Sequence, residues 1–131
     1  MTTLNDIITN AMRRIGVCPV GETPSAEEAS ANLSILNDMM LALPTKGVHT
    51  GWTALALTNA FPLEDRHIEG VTWMLAEAIA PDHGYALSAE QKKKAVNGWL
   101  ALEADYKILE RLRVDPLLVA MPSQRFWGGW S

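Results

Sequence analysis

The chain has 131 residues, 48% of them hydrophobic and 20% charged, with a formal net charge of -4. This length suits one domain able to bury a core without staples, and the single cysteine, Cys18, rules out an internal disulfide and fits a reducing compartment. The acidic balance argues against a dedicated nucleic-acid binder, and no apolar stretch approaches the ~20 residues of a membrane span.

The opening residues, Met1-Thr-Thr-Leu-Asn-Asp, have neither the basic start nor the apolar run of a secretory leader. A first helix is expected from about Leu4 to Ile15. Thr3 serves as its N-cap, Asp6 lies near the positive end of its dipole, and Gly16 ends it. Leu4, Ile7, Ile8, Ala11, Met12 and Ile15 fall on one face. A second helix opens at the capping box Ser25-Ala-Glu-Glu28 and stops at Pro44. Its stripe is Ala29, Leu33, Leu36, Met40 and Leu43, widened by Ala26, Ile35 and Met39. Residues 44–63 are punctuated by Gly47, Gly51 and Pro62, and Thr53-Ala-Leu-Ala-Leu-Thr58 alternates as a strand does. A short two-stranded β-hairpin over about 48–58 is the expectation there.

A third helix spans about Glu64 to Ala80, with Ile68, Val71, Leu75 and Ile79 inward and Pro81 at its end. The fourth begins at a second capping box, Ser88-Ala-Glu-Gln91, and its face Ala95, Trp99, Leu102, Tyr106 and Leu109 carries it to about Leu112. That length corresponds to ~37 Å of helix. The fold class expected is mainly α: a four-helix antiparallel bundle over residues 1–112, with an extended C-terminal arm over 113–131.

Motifs for chemistry are lacking. His49, His67 and His83 have no metal-binding spacing and read as surface or helix-terminal residues. Cys18, in the apolar Val17-Cys-Pro-Val20, reads as a buried, inert thiol. There is no Gly-x-Ser-x-Gly elbow and no glycine-rich phosphate loop. No enzyme, metal or cofactor is expected. Two basic clusters, Arg13-Arg14 and Lys92-Lys93-Lys94, are candidate contacts for an anionic partner, although a solvated face is the plainer reading. Trp99 keeps phase with the core, whereas Trp52 and Trp73 fall off every core stripe and are candidate interface residues.

The C-terminal residues Pro122-Ser-Gln-Arg-Phe-Trp-Gly-Gly-Trp-Ser131 place three large aromatics around a glycine pair. Each buries ~150–250 Å² when packed, so together they exceed what a free polar tail exposes. Either this segment folds back onto its own domain or another molecule receives it. Arg125, Phe126, Trp127 and Trp130 are the candidate docking residues.

Several stretches, in order and spacing, carry a resemblance. They are Ala11-Met-Arg-Arg-Ile-Gly-Val17, Leu36-Asn-Asp-Met-Met40, Asn59-Ala-Phe-Pro-Leu63, and Glu77-Ala-Ile-Ala-Pro-Asp-His-Gly84 with Tyr85-Ala-Leu following. In these the chain resembles the phage head-to-tail connector (head-completion adaptor) family, of the podoviral packaged-DNA-stabilisation, or tail accessory, type. The resemblance covers residues 3 to about 110. It implies a virion structural protein of the head-tail neck, assembled in the host cytoplasm. It further implies a helical subunit of a ring, typically a dodecamer, beneath the portal. The implied partners are the portal protein, neighbouring copies of the chain, a tail or stopper (nozzle) protein, and double-stranded DNA passing without sequence specificity. The arm would dock on the portal or an adjacent subunit, and no catalytic residue is implied. The competing expectations are a helical DNA-binding or packaging module, a small enzyme, and a self-contained bundle whose tail folds home.

Overall fold

The computed structural model describes residues 2–107. The expected continuation of the last helix to Leu112, the arm, and Arg125, Phe126, Trp127 and Trp130 lie outside the described residues. The fold is mainly helical, with α1 at Leu4–Arg14, α2 at Ala26–Leu41, α3 at Ile68–Ile79 and α4 at Ala89–Tyr106. No helix among the described residues is long and apolar enough to cross a membrane.

The helix starts follow from local chemistry. Thr3, Ser25 and Ser88 each cap a helix with the side chain, and Asp6, Glu28 and Gln91 return the bond to the cap's own N–H. The ends of α2 and α3 share a device that proline placement alone did not reveal. Leu43-Pro-Thr-Lys46 and Ala80-Pro-Asp-His83 each continue the chain as a 3-10 turn and close on a left-handed glycine, Gly47 (φ 85°) and Gly84 (φ 69°). Val48 and Tyr85 then donate their N–H groups back to the carbonyls of Leu43 and Ala80. Proline therefore sits inside each terminal turn rather than beyond it. A further 3-10 turn, Asp65–His67, leads into α3, so the α-helix proper starts at Ile68 and not at Glu64.

No hairpin forms at 48–58; among the described residues there is no strand, only an isolated bridge between Thr3 and Ala60. The alternation is still real, because Leu55 and Leu57 pack against the core while Thr53, Ala54, Ala56 and Thr58 face outward. What differs is the partner. The Asn37 side chain accepts from the Leu55 N–H at 3.2 Å and donates to its carbonyl at 3.0 Å, taking the place of a neighbouring strand. The Leu57 and Asn59 carbonyls accept from the first free N–H groups of α1, on Asn5 and Leu4, at 3.0 Å each. The loop is thus the lid on the α1 N-terminus, and its backbone has no need of a ladder.

α3 lies at the centre, packed against α1, α2 and α4. Val71, Thr72, Trp73, Met74, Leu75, Ala76 and Ile79 are all buried, so α3 is enclosed on nearly every side. Around it stand Leu4, Ile7, Ile8, Met12, Leu36, Met40, Leu43 and Leu102, all with almost no exposed surface. Asn32 shares the buried side of α2. Trp52 and Trp73 are also buried, each 6% exposed. Both belong to the core, contrary to the expectation that they stand off it. Trp52 packs edge-on against Phe61 at 6.0 Å and gives its indole N–H to Asn37 at 3.0 Å. Trp99, expected in the core, is only partly buried.

The crossing of α3 and α4 is made without side chains. α3 and α4 cross at Gly70 and Gly98, and a Cβ added at Gly70 would lie 2.8 Å from the Gly98 Cα. One added at Gly98 would lie 2.6 Å from the Gly70 carbonyl oxygen. A helical glycine ordinarily weakens a helix by ~0.5–1 kcal/mol relative to alanine. Here the methyl would strike backbone that cannot rotate away, so the sign should reverse, with overpacking costing ~1–3 kcal/mol or more. Gly98→Ala is expected to lower the urea midpoint of unfolding; an unchanged or raised midpoint would show that the crossing has room.

Candidate functional site

The two basic clusters, almost 80 residues apart in sequence, meet at one aromatic ring. α1 ends in Arg13 and Arg14, where cations suit the helix dipole. α4 carries Lys92, Lys93 and Lys94 in its opening turns, all exposed. Trp73 of α3 lies between them. The Arg14 guanidinium stands 5.4 Å from the Trp73 ring centroid and the Lys94 ammonium 4.9 Å from it. The Trp73 indole N–H donates to Glu69 at 3.0 Å, and Glu69 receives Arg14 at 2.7 and 2.9 Å. Ring, carboxylate and two cations form one mixed-charge cluster on the rim of the Gly70–Gly98 crossing. Trp73 thus acts as the base of this cluster, with its ring inside the fold. Arg13 is also engaged, donating to the Glu22 carbonyl at 3.1 Å. Of the five candidate cations, Lys92 and Lys93 are those with no such contact among the described residues. This arrangement weakens the expectation that Arg13 and Arg14 await an anionic partner.

On the other side of α4 an apolar groove of about 440 Å³ runs between α4, α3 and the end of α2. Met39, Leu43, Met74, Ala78, Val96 and Trp99 line it. Lys46 covers the Trp99 ring at 5.4 Å. Val96 and Leu100, one turn apart on α4, are each 50% exposed. Glu77 stands exposed at the groove's edge, with no ion pair among the described residues. Val96 and Leu100 flank the α4 face of Ala95, Trp99 and Leu102, and nothing in that spacing marks them as uncovered.

A third cluster joins the start of α3 to the end of α4. Of the two expected placements, surface or helix-terminal, His67 takes the second, at the start of α3, and is buried there at 2% exposure. Its Nε2 meets Asp105, which also takes Arg66 at 2.8 Å. Tyr106 lies against the His67 ring at 5.7 Å. Burial, then the Glu64 and Asp105 carboxylates, push the Tyr106 phenol above its ordinary value of 10.0, against the opposing pull of Arg66. His49, by contrast, is exposed, and His83 is partly exposed at the end of its 3-10 turn. The Cys18 thiol is buried and donates to the Glu22 carbonyl at 3.3 Å. Among the described residues no group of three or more His, Cys, Asp or Glu side chains is placed to hold a metal ion.

Compared with known proteins, the chain matches no family model and no curated protein.

The Tyr106 environment has a pH consequence. A phenol whose pKa is raised on folding keeps its proton where the unfolded chain gives it up. Its contribution to stability is whole below pH 10 and is lost as pH rises through the raised value. Tyr106→Phe should therefore flatten the alkaline fall in stability, measured as denaturation midpoints across pH 9 to 12; an identical fall in both proteins would remove the phenol from the account.

Proposed function

We propose that the chain is a virion structural protein, a head-to-tail adaptor whose copies form a ring under the portal, join it to the tail and help retain packaged DNA. In this reading residues 1–112 form a four-helix antiparallel bundle and residues 113–131 an arm. The reversed order of contacts between α3 and α4 supports the antiparallel arrangement: His67 meets Asp105, Gly70 meets Gly98, and Trp73 meets Lys94.

The observation that carries the reading is the aromatic content of the C-terminal residues. Among the described residues the fully buried large side chains run from Leu4 to Leu102, and the sequence holds Phe126, Trp127 and Trp130 outside the described residues. Three large aromatics around a glycine pair supply the parts for joining another molecule. Three of the four stretches of resemblance sit at the joints of this fold, and the fourth, Leu36–Met40, lies within α2. Ala11–Val17 spans the close of α1, Asn59–Leu63 lies in the loop that covers the α1 N-terminus, and Glu77–Gly84 forms the end of α3 with its 3-10 turn. Phe126, Trp127 and Trp130 would anchor the arm on the portal or an adjacent subunit, with Arg125 as a charged contact. A ring needs two different faces meeting head to tail, and the apolar side of α4 would supply one of them.

A second reading, a helical DNA-binding or packaging module, draws on the convergence of Arg14 and Lys94 at Trp73. It competes poorly, because Glu69 already occupies Arg14.

Two measurements separate the readings. Without residues 122–131 the adaptor should stay folded and fail to join the portal in a mass measurement of the mixture; undiminished attachment would sink the docking role of that segment. A DNA module should bind duplex DNA with an affinity that falls steeply as salt rises, whereas the adaptor reading expects no retention on DNA even at low salt.

A further inference from the structure

The groove beside Trp99 has an occupant within the same chain. We propose that the segment Arg125–Trp130 of each molecule seats its aromatics in that molecule's own groove, and that any partner taking the tail must first withdraw it. The inference goes beyond the adaptor reading and does not rest on it.

Position supports this assignment first. α4 contributes Ala95, Val96 and Trp99 to the groove and ends at Tyr106. The next residue, Lys107, reaches back to the 3-10 turn that forms the groove wall: its Cε would lie 3.6 Å from a Cβ at Gly47, directly after the groove residue Lys46. From Trp99 to Lys107 the rise along a helix is ~12 Å. The chain therefore leaves the described fold beside the groove. The 18 residues between Lys107 and Phe126 span up to ~60 Å when extended, several times the distance needed. A tether of this length holds its end near the groove at an effective concentration in the mM range. A neighbouring copy at ~10 μM would have to bind ~100-fold more tightly to displace it.

Chemistry supports it as well. The groove is apolar, and two of its walls are methionines, Met39 and Met74, whose unbranched side chains adapt to rings of different shape. The tail offers two indoles and a phenyl ring about a glycine pair that lets the backbone turn sharply. Arg125, preceding the first ring, matches Glu77 at the groove's edge, which has no ion-pair partner among the described residues. The same rings would cover Val96 and Leu100, the large apolar side chains that α4 leaves half exposed.

The test uses the full chain labelled at its methionine methyls and observed by NMR. It is compared with a variant carrying Phe126→Ser, Trp127→Ser and Trp130→Ser. Ring currents from a seated tail should displace the Met39 and Met74 methyl signals of the parent relative to the variant, leaving the core residues Met12 and Met40 unmoved. The displacement should persist on about tenfold dilution, as an intramolecular contact requires. Val96→Asp, at a half-exposed groove position, should abolish it while Met12 and Met40 stay in place, their unmoved signals reporting an intact core. Coincident Met39 and Met74 signals in parent and variant would overturn the proposal. So would a displacement that fades on dilution, because the groove would then hold the tail of another copy.

Discussion

The crossing of α3 and α4 at Gly70 and Gly98 sets the geometry on which the other contacts depend. Two backbones touch there with no side chain between them. That proximity lets short-range contacts form on both sides of the crossing. Toward the α3 N-terminus it brings His67 and Arg66 onto Asp105. Toward its C-terminus it brings Trp73 under Lys94 and Met74 beside Ala95. A spacer of even one methyl would spread these pairs, and contacts of a few ångströms would be lost together rather than singly. Because α3 is also the helix that α1 and α2 pack against, the crossing orders most of the core.

A second constraint acts at the opposite end of the chain's logic, in the polar groups of the backbone. Every helix start leaves free N–H groups, and those of α1 are directed into protein rather than water. The loop carbonyls of Leu57 and Asn59 answer them. Holding that loop open for the purpose falls to Asn37, whose single amide group serves both polar groups of Leu55 and the Trp52 indole. Buried polar groups left unmet cost ~1–3 kcal/mol each, so three partners on one side chain outweigh any propensity of residues 53–58 for a strand. One asparagine on α2 therefore joins α2, the loop and, through the loop, α1.

These two constraints explain what was legible in the sequence and what was not. The capping boxes and the apolar stripes of α1 and α3 are local signals, repeated within a few residues, and the structure keeps them. Partnership across the chain is not local. The alternation at 53–58 correctly indicated that Leu55 and Leu57 turn inward, but the pattern is blind to whether the backbone pairs with a strand or with an amide side chain. Trp52 and Trp73 fell off the stripes because their neighbours wrap around them, Asn37 and Phe61 in one case and Arg14, Glu69 and Lys94 in the other. In a helix enclosed on nearly every side, such as α3, the stripe of Val71, Leu75 and Ile79 marks only part of what is buried. Gly70 and Gly98 did leave a signal: an isolated glycine inside a helical pattern usually has a packing reason. Only the fold tells that the two belong to each other. Of the candidate site, the two basic clusters were visible but their meeting at Trp73 was not, and the docking residues Arg125, Phe126, Trp127 and Trp130 rest on sequence.

The charges and the apolar surface divide the work of recognition unequally. One guanidinium nitrogen of Arg14 donates to both Glu69 oxygens, but the Glu69 side chain is 66% exposed. Pairs of that kind contribute ~0–1 kcal/mol, and the cations over Trp73 add ~0.5–1 kcal/mol apiece at exposed sites. These interactions hold α1, α3 and α4 in register, and Glu69 neutralises one of the cluster's two cations. The groove side is different. Val96 and Leu100 are left half exposed by the described residues, and each large side chain fully covered would contribute ~1.5–3 kcal/mol. Binding to this fold should therefore be driven chiefly by apolar burial along α4 and be insensitive to salt, with Lys46 and Glu77 at the rim selecting what fits rather than supplying the affinity.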